Sequence, residues 1–174
     1  FLKFGGEKVQ QSILKLFLKV QLLEDLPQDW YEGIIKPIYK EGKREVLGNY
    51  RGITISSIVY KTLVSIIEMQ VMEYLENKGI LGDFQGAFRK DRRCEDHIFN
   101  LKGICAIQKS KKRHTYLGFL DISKAFDTVD RSTLFSHAWH KGIQGKAWRM
   151  IRTLYNRVDN KVIFGQYESE LFEV

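Results

Sequence analysis

Two carboxylates follow an apolar run near the middle of this chain. Asp121 ends the run, and Asp127 lies six residues later, directly after Phe126. A carboxylate at the C-terminal end of a buried strand is held rigidly at a cleft, and Mg²⁺ prefers such oxygen ligands. We therefore predict a buried strand over residues 115–122 that presents Asp121 as a metal ligand, with the backbone carbonyl of Ile122 as a neighbouring oxygen.

Helix capping and turn formation offer a simpler explanation of the same acids. Asp121 could cap a helix that starts at Ser123, while Asp127 and Asp130 could be turn residues. For an isolated Asp after a strand, capping is the more common role. The residues around Asp121 must therefore decide between a metal site and a cap.

Charge and composition favour a polyanionic partner. The chain has 174 residues, with 28 Lys and Arg against 21 Asp and Glu, and a net charge of +7. Such a surface favours nucleic acids because neutralised phosphates release counterions; a generally basic protein is the alternative.

Cys94 and Cys105 fit reduced thiols of an intracellular protein, in the nucleus or the cytoplasm. No uncharged apolar run approaches the roughly 18 residues of a membrane span, so we expect no membrane partner.

Apolar periodicity outlines the elements that must position these residues. Helices are predicted at residues 7–24, from Ser56 or Ser57 to Gly79, and at 95–109, 132–140 and 144–155; strands are predicted at 30–39, 53–55, 115–122, 161–164 and 170–174. Pro37 lacks an amide hydrogen and therefore suits a sheet edge or a bulge. Since the order shows no regular alternation of strands and helices, we expect an α+β fold.

The sequence LDISKAFDTVDR, residues 120–131, resembles the first catalytic block of reverse transcriptases from LINE-type (non-LTR) retrotransposons. In that block an aliphatic strand runs into Asp-x-Ser-Lys-Ala-Phe-Asp-x-Val. The resemblance implies that Asp121 binds metal and that Phe126 excludes ribonucleotides by a clash with their 2′-hydroxyl. The residues implied to lie beside the incoming triphosphate are Ser123, Lys124 and Ala125. For Asp127 we expect only local hydrogen bonds within the turn.

Two upstream segments resemble further blocks of the same family, in the same order. Residues 30–61 contain WYEGIIKPIYKEGK and NYRGIT, and residues 79–101 contain QGAFR followed by CEDHI. The cationic side chains implied to contact the triphosphate are Lys40, Lys43 and Arg51. The side chains implied to contact template or primer are Gln85, Phe88, Arg89, Arg92 and Arg93. A merely solvated loop is the alternative for the first group, and His97 is expected to be structural.

The resemblance implies a helix-rich fingers subdomain, about residues 1–114, on an incomplete antiparallel palm sheet, about residues 115–174. It implies RNA-directed DNA synthesis, in which a primer 3′-hydroxyl attacks a deoxynucleoside triphosphate with two Mg²⁺ ions at the site. The implied partners are an RNA template, a DNA primer and the dNTP. The chain begins with Phe1 and lacks the family's Ala-Asp-Asp block, thumb and endonuclease, so we expect a fragment that is inactive alone.

Two other functions are compatible with the sequence. A truncated or domesticated copy could bind nucleic acid without polymerising. A Mg²⁺ phosphatase of the haloacid-dehalogenase type also has an Asp after a buried strand, but it resembles Asp-x-Asp-x-Thr or Asp-x-Asp-x-Val. The third position here is Ser123, which disfavours the phosphatase.

Overall fold

This computed structural model describes residues 4–156 and 158–173, which contain five α-helices, two short 3-10 helices and five strands joined by loops. The helices are α1 (Gly6–Leu23), α2 (Ile58–Asn77), α3 (Cys94–Ser110), α4 (Arg131–His140) and α5 (Gly145–Asn156). The strands are β1 (Glu32–Tyr39), β2 (Tyr50–Ile55), β3 (Asp159–Phe164), β4 (Tyr167–Glu168) and β5 (Phe172–Glu173). None of the helices in these residues is both long and apolar enough to cross a membrane.

The chain divides into two units. The first unit comprises Phe1–Met69 and Phe135–Val174, and the second unit comprises Gln70–Leu134. The first unit contains the whole sheet, with β1 between β2 and β3. The helices and this sheet confirm the predicted α+β class.

The sheet is mixed, whereas an antiparallel one was expected. β1 pairs antiparallel with β2 but parallel with β3, from Glu32 opposite Asp159 to Ile35 opposite Val162. A parallel pair needs a long crossover, and here most of the chain lies between the two strands. β1 is a central strand and not the edge strand that Pro37 suggested. The proline is tolerated because it lies beyond the last β3 pair, where β1 is paired only with β2, and Pro37 faces Gly52 there.

The core of the first unit lies where helices α1, α2 and α5 supply buried side chains. The buried apolar side chains are Phe17, Val20, Leu26, Leu63, Ile67 and Met150. Trp30 joins the cluster, because its ring packs edge-to-face with Phe17 at 6.5 Å and with Tyr60 at 5.9 Å between centroids. Aromatic pairs of this geometry add to the stabilisation from burial alone.

Glu24 connects the end of α1 to α5. It ends α1 in the left-handed conformation, at φ 53°, which releases the chain from the helix. Its carboxylate accepts hydrogen bonds of 2.6 and 2.7 Å from Arg149, and its carbonyl accepts one of 3.0 Å from the Thr153 hydroxyl. The hydrogen bonds from Arg149 lower the pKa of the Glu24 carboxyl.

The predicted strand over residues 115–122 is wrong. This run is irregular in the structure, and its large apolar side chains are exposed, with Leu120 fully so. A strand needs a neighbour for its backbone hydrogen bonds. No strand of residues 4–156 and 158–173 pairs with the run, so apolar composition alone does not make it a strand.

Gly33 is a position in the sheet where a side chain would be costly. A Cβ there would overlap Oδ1 of the buried Asn160 and lie 2.9 Å from Cγ2 of Thr54. We expect Gly33→Ala to lower the free energy of unfolding by about 1–3 kcal/mol, the usual cost of overpacking, in thermal or urea unfolding.

Gly48→Ala is the matched control, because a Cβ at Gly48 meets nothing within 4 Å. Adding Asn160→Ala to Gly33→Ala should restore part of the lost stability, since the overlapping amide is then gone. Equal stability of the Gly33→Ala and Gly48→Ala variants would contradict the observed register of β1 and β3.

Candidate functional site

The segment from Asp121 to Asp130 contains a turn at residues 123–128. In this turn the Lys124 carbonyl accepts hydrogen bonds of 3.0 Å from the Asp127 amide and 3.1 Å from the Thr128 amide. Lys124 is left-handed, at φ 52°. Asp121 therefore does not cap a helix at Ser123, and its carboxylate is exposed before the turn. The expected local hydrogen bonding of Asp127 is made by its amide.

Asp130 caps α4. Its Oδ1 accepts a hydrogen bond of 2.6 Å from the Ser132 hydroxyl and one of 2.7 Å from the Thr133 amide. The second bond satisfies a helix-terminal donor, which is the usual function of an Asp at this position. The bonds from Ser132 and Thr133 favour the ionised form and lower the pKa of Asp130 to about 2. Asp130 was expected only as a turn residue, and in the structure it caps α4 instead.

The carboxylates of this segment do not converge on one point. Among the side chains of residues 4–156 and 158–173, no three Asp, Glu, His or Cys are placed to hold one metal ion. Two-metal phosphoryl transfer needs ligands that clamp both the attacking and the leaving oxygen. The described residues therefore do not complete a metal site, and the role of Asp121 as a metal ligand stays a prediction.

Arg89 ties the loop between α2 and α3 to the end of α2. Its Nε and Nη2 each donate a hydrogen bond of 2.7 Å to the carboxylate of Glu76, and its Nη1 donates to the carbonyls of Gly82 at 2.9 Å and Gln85 at 3.1 Å. Its side chain is only 8% exposed. The hydrogen bonds from Arg89 also lower the pKa of Glu76. Arg89 thus positions the loop, and its contact with a template stays a prediction.

A second close contact shapes the same loop. A Cβ at Gly86 would overlap the imidazole of His97, so any other residue at position 86 would displace that side chain from the place it has here. Two residues later, Phe88 is left-handed at φ 58°. Its exposed ring meets the ring of Phe126 edge-to-face, with centroids 6.1 Å apart and planes at 83°.

The remaining predicted template residues are exposed on this loop. Gln85 is exposed, and Arg92 Nη2 lies 4.0 Å from the exposed Asp83 carboxylate, a pair of little energetic weight. Arg93 precedes α3, and its amide donates a hydrogen bond of 2.8 Å to Asp96. The Arg92 and Arg93 guanidinium groups are therefore accessible to phosphates.

The predicted triphosphate residues Lys40, Lys43 and Arg51 lie on or beside the loop from β1 to β2. Asn49 organises this loop, because its carbonyl accepts a hydrogen bond of 2.9 Å from the Lys40 amide and its Nδ2 donates one of 2.7 Å to the Lys43 carbonyl. All three cationic side chains are exposed. They belong to the first unit, whereas Asp121 and residues 123–126 belong to the second.

Sequence reasoning missed Glu76 as a partner for Arg89 and left Gly86 without a role. The signal for Glu76 was weak, because an acid in the last turn of a helix is common. The available signal for Gly86 was its position in QGAFR, two residues before Phe88, which was predicted to contact template or primer.

The comparisons agree on one family. Residues 38–173 match the family model described as reverse transcriptase (RNA-dependent DNA polymerase). The chain is 28% identical over 141 residues to the probable RNA-directed DNA polymerase from transposon X-element of Drosophila melanogaster. These residues cover 79% of this chain and 14% of that protein. It is 26% identical over 144 residues to the probable RNA-directed DNA polymerase from transposon BS of the same organism, and these residues cover 82% of this chain and 15% of that protein. The chain thus spans about one seventh of the length of these relatives.

The cap at Asp130 predicts a specific pH dependence. Because its folded pKa of about 2 lies below the ordinary value of 3.8, ionised Asp130 stabilises the fold above about pH 4, and this contribution is lost as the pH falls from about 4 to about 2. Asp130→Asn keeps a capping oxygen but does not titrate. The melting temperature of the unchanged chain should therefore fall more steeply across this window than that of the variant. Parallel curves would contradict the assignment.

The Arg89 contacts predict local stability of the loop. Arg89→Gln and Glu76→Gln should each speed amide hydrogen exchange in residues 79–93. The first variant loses the four hydrogen bonds that Arg89 donates, and the second loses the carboxylate that accepts two of them. Arg92→Gln is the matched control, since its pairing with Asp83 is long and exposed. If all three variants exchange at the same rate as the unchanged chain, Arg89 does not hold the loop.

Proposed function

Because this chain belongs to the reverse transcriptase (RNA-dependent DNA polymerase) family, we propose that it forms part of the polymerising domain of a LINE-type retrotransposon protein. In this proposal residues 1–114 belong to the fingers and residues 115–174 to the first part of the palm. The observation that carries the proposal is the family match over residues 38–173, which contains every site residue named here. The similarity to two transposon polymerases supports it.

Reverse transcriptases use divalent metal ions, and we propose two Mg²⁺ ions here. In this proposal the oxygens of this chain that hold them are the Asp121 carboxylate and the Ile122 carbonyl, both on exposed residues. When bound, such ions stabilise the charge on the attacking and leaving oxygens of phosphoryl transfer. No group of three potential ligands occurs within residues 4–156 and 158–173, so in this proposal Asp121 needs further carboxylates to complete the site.

The second part of the proposal concerns the incoming nucleotide. Lys40, Lys43 and Arg51 neutralise its triphosphate, and their exposure supports this role. The turn residues Ser123, Lys124 and Ala125 present backbone amides beside the phosphates. Phe126 restricts the sugar to deoxyribose by steric overlap with a 2′-hydroxyl, and its exposed ring leaves it accessible for that contact.

The third part concerns an RNA template and a DNA primer. Exposed Phe88 and the guanidinium groups of Arg92 and Arg93 form the combination that stacks on bases and contacts phosphates. Gln85 lies on the same loop, and Arg89 fixes the loop that carries them all. The net charge of +7 favours the same partners.

The free thiols of Cys94 and Cys105 support a place of action in a reducing compartment, the cytoplasm or the nucleus.

A non-catalytic nucleic-acid-binding role is the second candidate. The exposed guanidinium groups of Arg92 and Arg93 support this role as well as they support the enzyme, and primer extension on an RNA template by the whole protein that carries this chain distinguishes the two.

In an active polymerase that carries this chain, Asp121→Asn should reduce primer extension on an RNA template by about a hundredfold or more, because loss of a metal-binding charge removes several kcal/mol of transition-state stabilisation. The melting temperature should not change, since Asp121 is exposed. Asp127→Asn is the matched control and should have a smaller effect. Extension by Asp121→Asn within about tenfold of the unchanged enzyme would exclude the metal role.

A further inference from the structure

Phe88 and Phe126 come from different segments of the second unit, yet their rings meet at 6.1 Å. Both rings are largely exposed, Phe88 by 73% and Phe126 by 79%. Burial in a core therefore does not explain the contact. The planes meet at 83°, the edge-to-face geometry in which the positive edge of one ring faces the negative face of the other.

The position of Phe88 is determined by the loop around it. A residue with a Cβ disfavours positive φ, yet Phe88 has φ 58°. On one side the Gly86 backbone lies against His97. On the other side Arg89 is fixed by its bonds to Glu76 and to two loop carbonyls. These contacts fix the direction in which the Phe88 ring projects.

Phe126 lacks comparable restraints. The turn that carries it is closed by hydrogen bonds to the Lys124 carbonyl, and its ring is exposed. An exposed side chain samples several staggered rotamers. A fixed neighbouring ring favours the rotamer that makes the edge-to-face contact, and Phe88 provides that ring.

We propose that Phe88 is a positioning residue for sugar selection: its ring holds Phe126 in the orientation that excludes a 2′-hydroxyl. The inference rests on the proposed function, in which Phe126 meets the sugar of the incoming nucleotide. It adds that discrimination against ribonucleotides depends on a residue of the preceding loop. A role of Phe88 in template contact alone would change the use of dNTP and rNTP equally, whereas positioning changes their ratio.

The test measures kcat/KM for one dNTP and the matching rNTP in an active polymerase that carries this chain. Phe88→Ala should reduce the preference for dNTP by about two- to tenfold, the range that an aromatic pair contributes. Phe88→Tyr keeps the ring and should stay within about twofold of the unchanged enzyme. Phe84→Ala is the matched control, because Phe84 is a 99% exposed Phe of the same loop, and it should leave the ratio unchanged.

Combination with Phe126→Ala separates the inference from the proposed function. If Phe126→Ala leaves the sugar preference unchanged, the gate is absent and both fail. If Phe126→Ala relaxes the preference but Phe88→Ala does not, the gate stands and the positioning role is overturned. If Phe88 acts only through the Phe126 ring, Phe88→Ala should not lower the preference for dNTP any further in a variant that already carries Phe126→Ala. Additive effects would overturn it.

A spectroscopic test uses the chain itself. With 4-fluorophenylalanine incorporated, the ¹⁹F signal of Phe126 is the one lost in Phe126→Leu. Phe88→Leu should shift that signal because the neighbouring ring is removed, while Phe84→Leu should not. An unmoved Phe126 signal in Phe88→Leu would show that the two rings do not pair.

Discussion

The backbone of a β-strand must find hydrogen-bonded neighbours, and this requirement decides which apolar segments of the chain become strands. β1 meets it on both sides, with β2 following closely in sequence and β3 coming from near the other end. The β1–β3 pairing brings distant parts of the chain together in the first unit. Residues 115–122 are strongly apolar but have no such neighbour among residues 4–156 and 158–173, and they are irregular and exposed.

The same requirement bears on the chemistry of Asp121. A strand-end carboxylate is rigid only when its strand is paired, so Asp121 lacks that support in this structure. The proposed function needs further carboxylates beside Asp121, and we propose that other segments of the polymerase that carries this chain pair with residues 115–122 and so hold Asp121 in place. The span of the chain, about one seventh of its relatives, is compatible with this arrangement.

Side-chain hydrogen bonds order the loop between α2 and α3 without a sheet. Arg89 gives its donors to Glu76 and to two carbonyls, so a loop with little buried surface keeps a defined path. Gly86 permits the close approach to His97, and Phe88 then projects toward Phe126. The loop proposed to contact the template and the turn proposed to contact the sugar are thereby linked through two rings.

Local patterns predicted much of this molecule. The periodic segments predicted five helices close to their observed bounds. Three motifs in the expected order predicted the family, which the match over residues 38–173 confirms. Long-range partners were not predictable, because periodicity does not show which strand lies beside another: the parallel β1–β3 pair and the unpaired run at 115–122 are both of this kind. In the proposed arrangement residues 115–122 become a paired palm strand in the polymerase that carries this chain, and amide hydrogen exchange tests that pairing directly. We expect fast exchange of residues 115–122 in the isolated chain and their protection in an active polymerase that carries it; fast exchange in both would contradict the pairing.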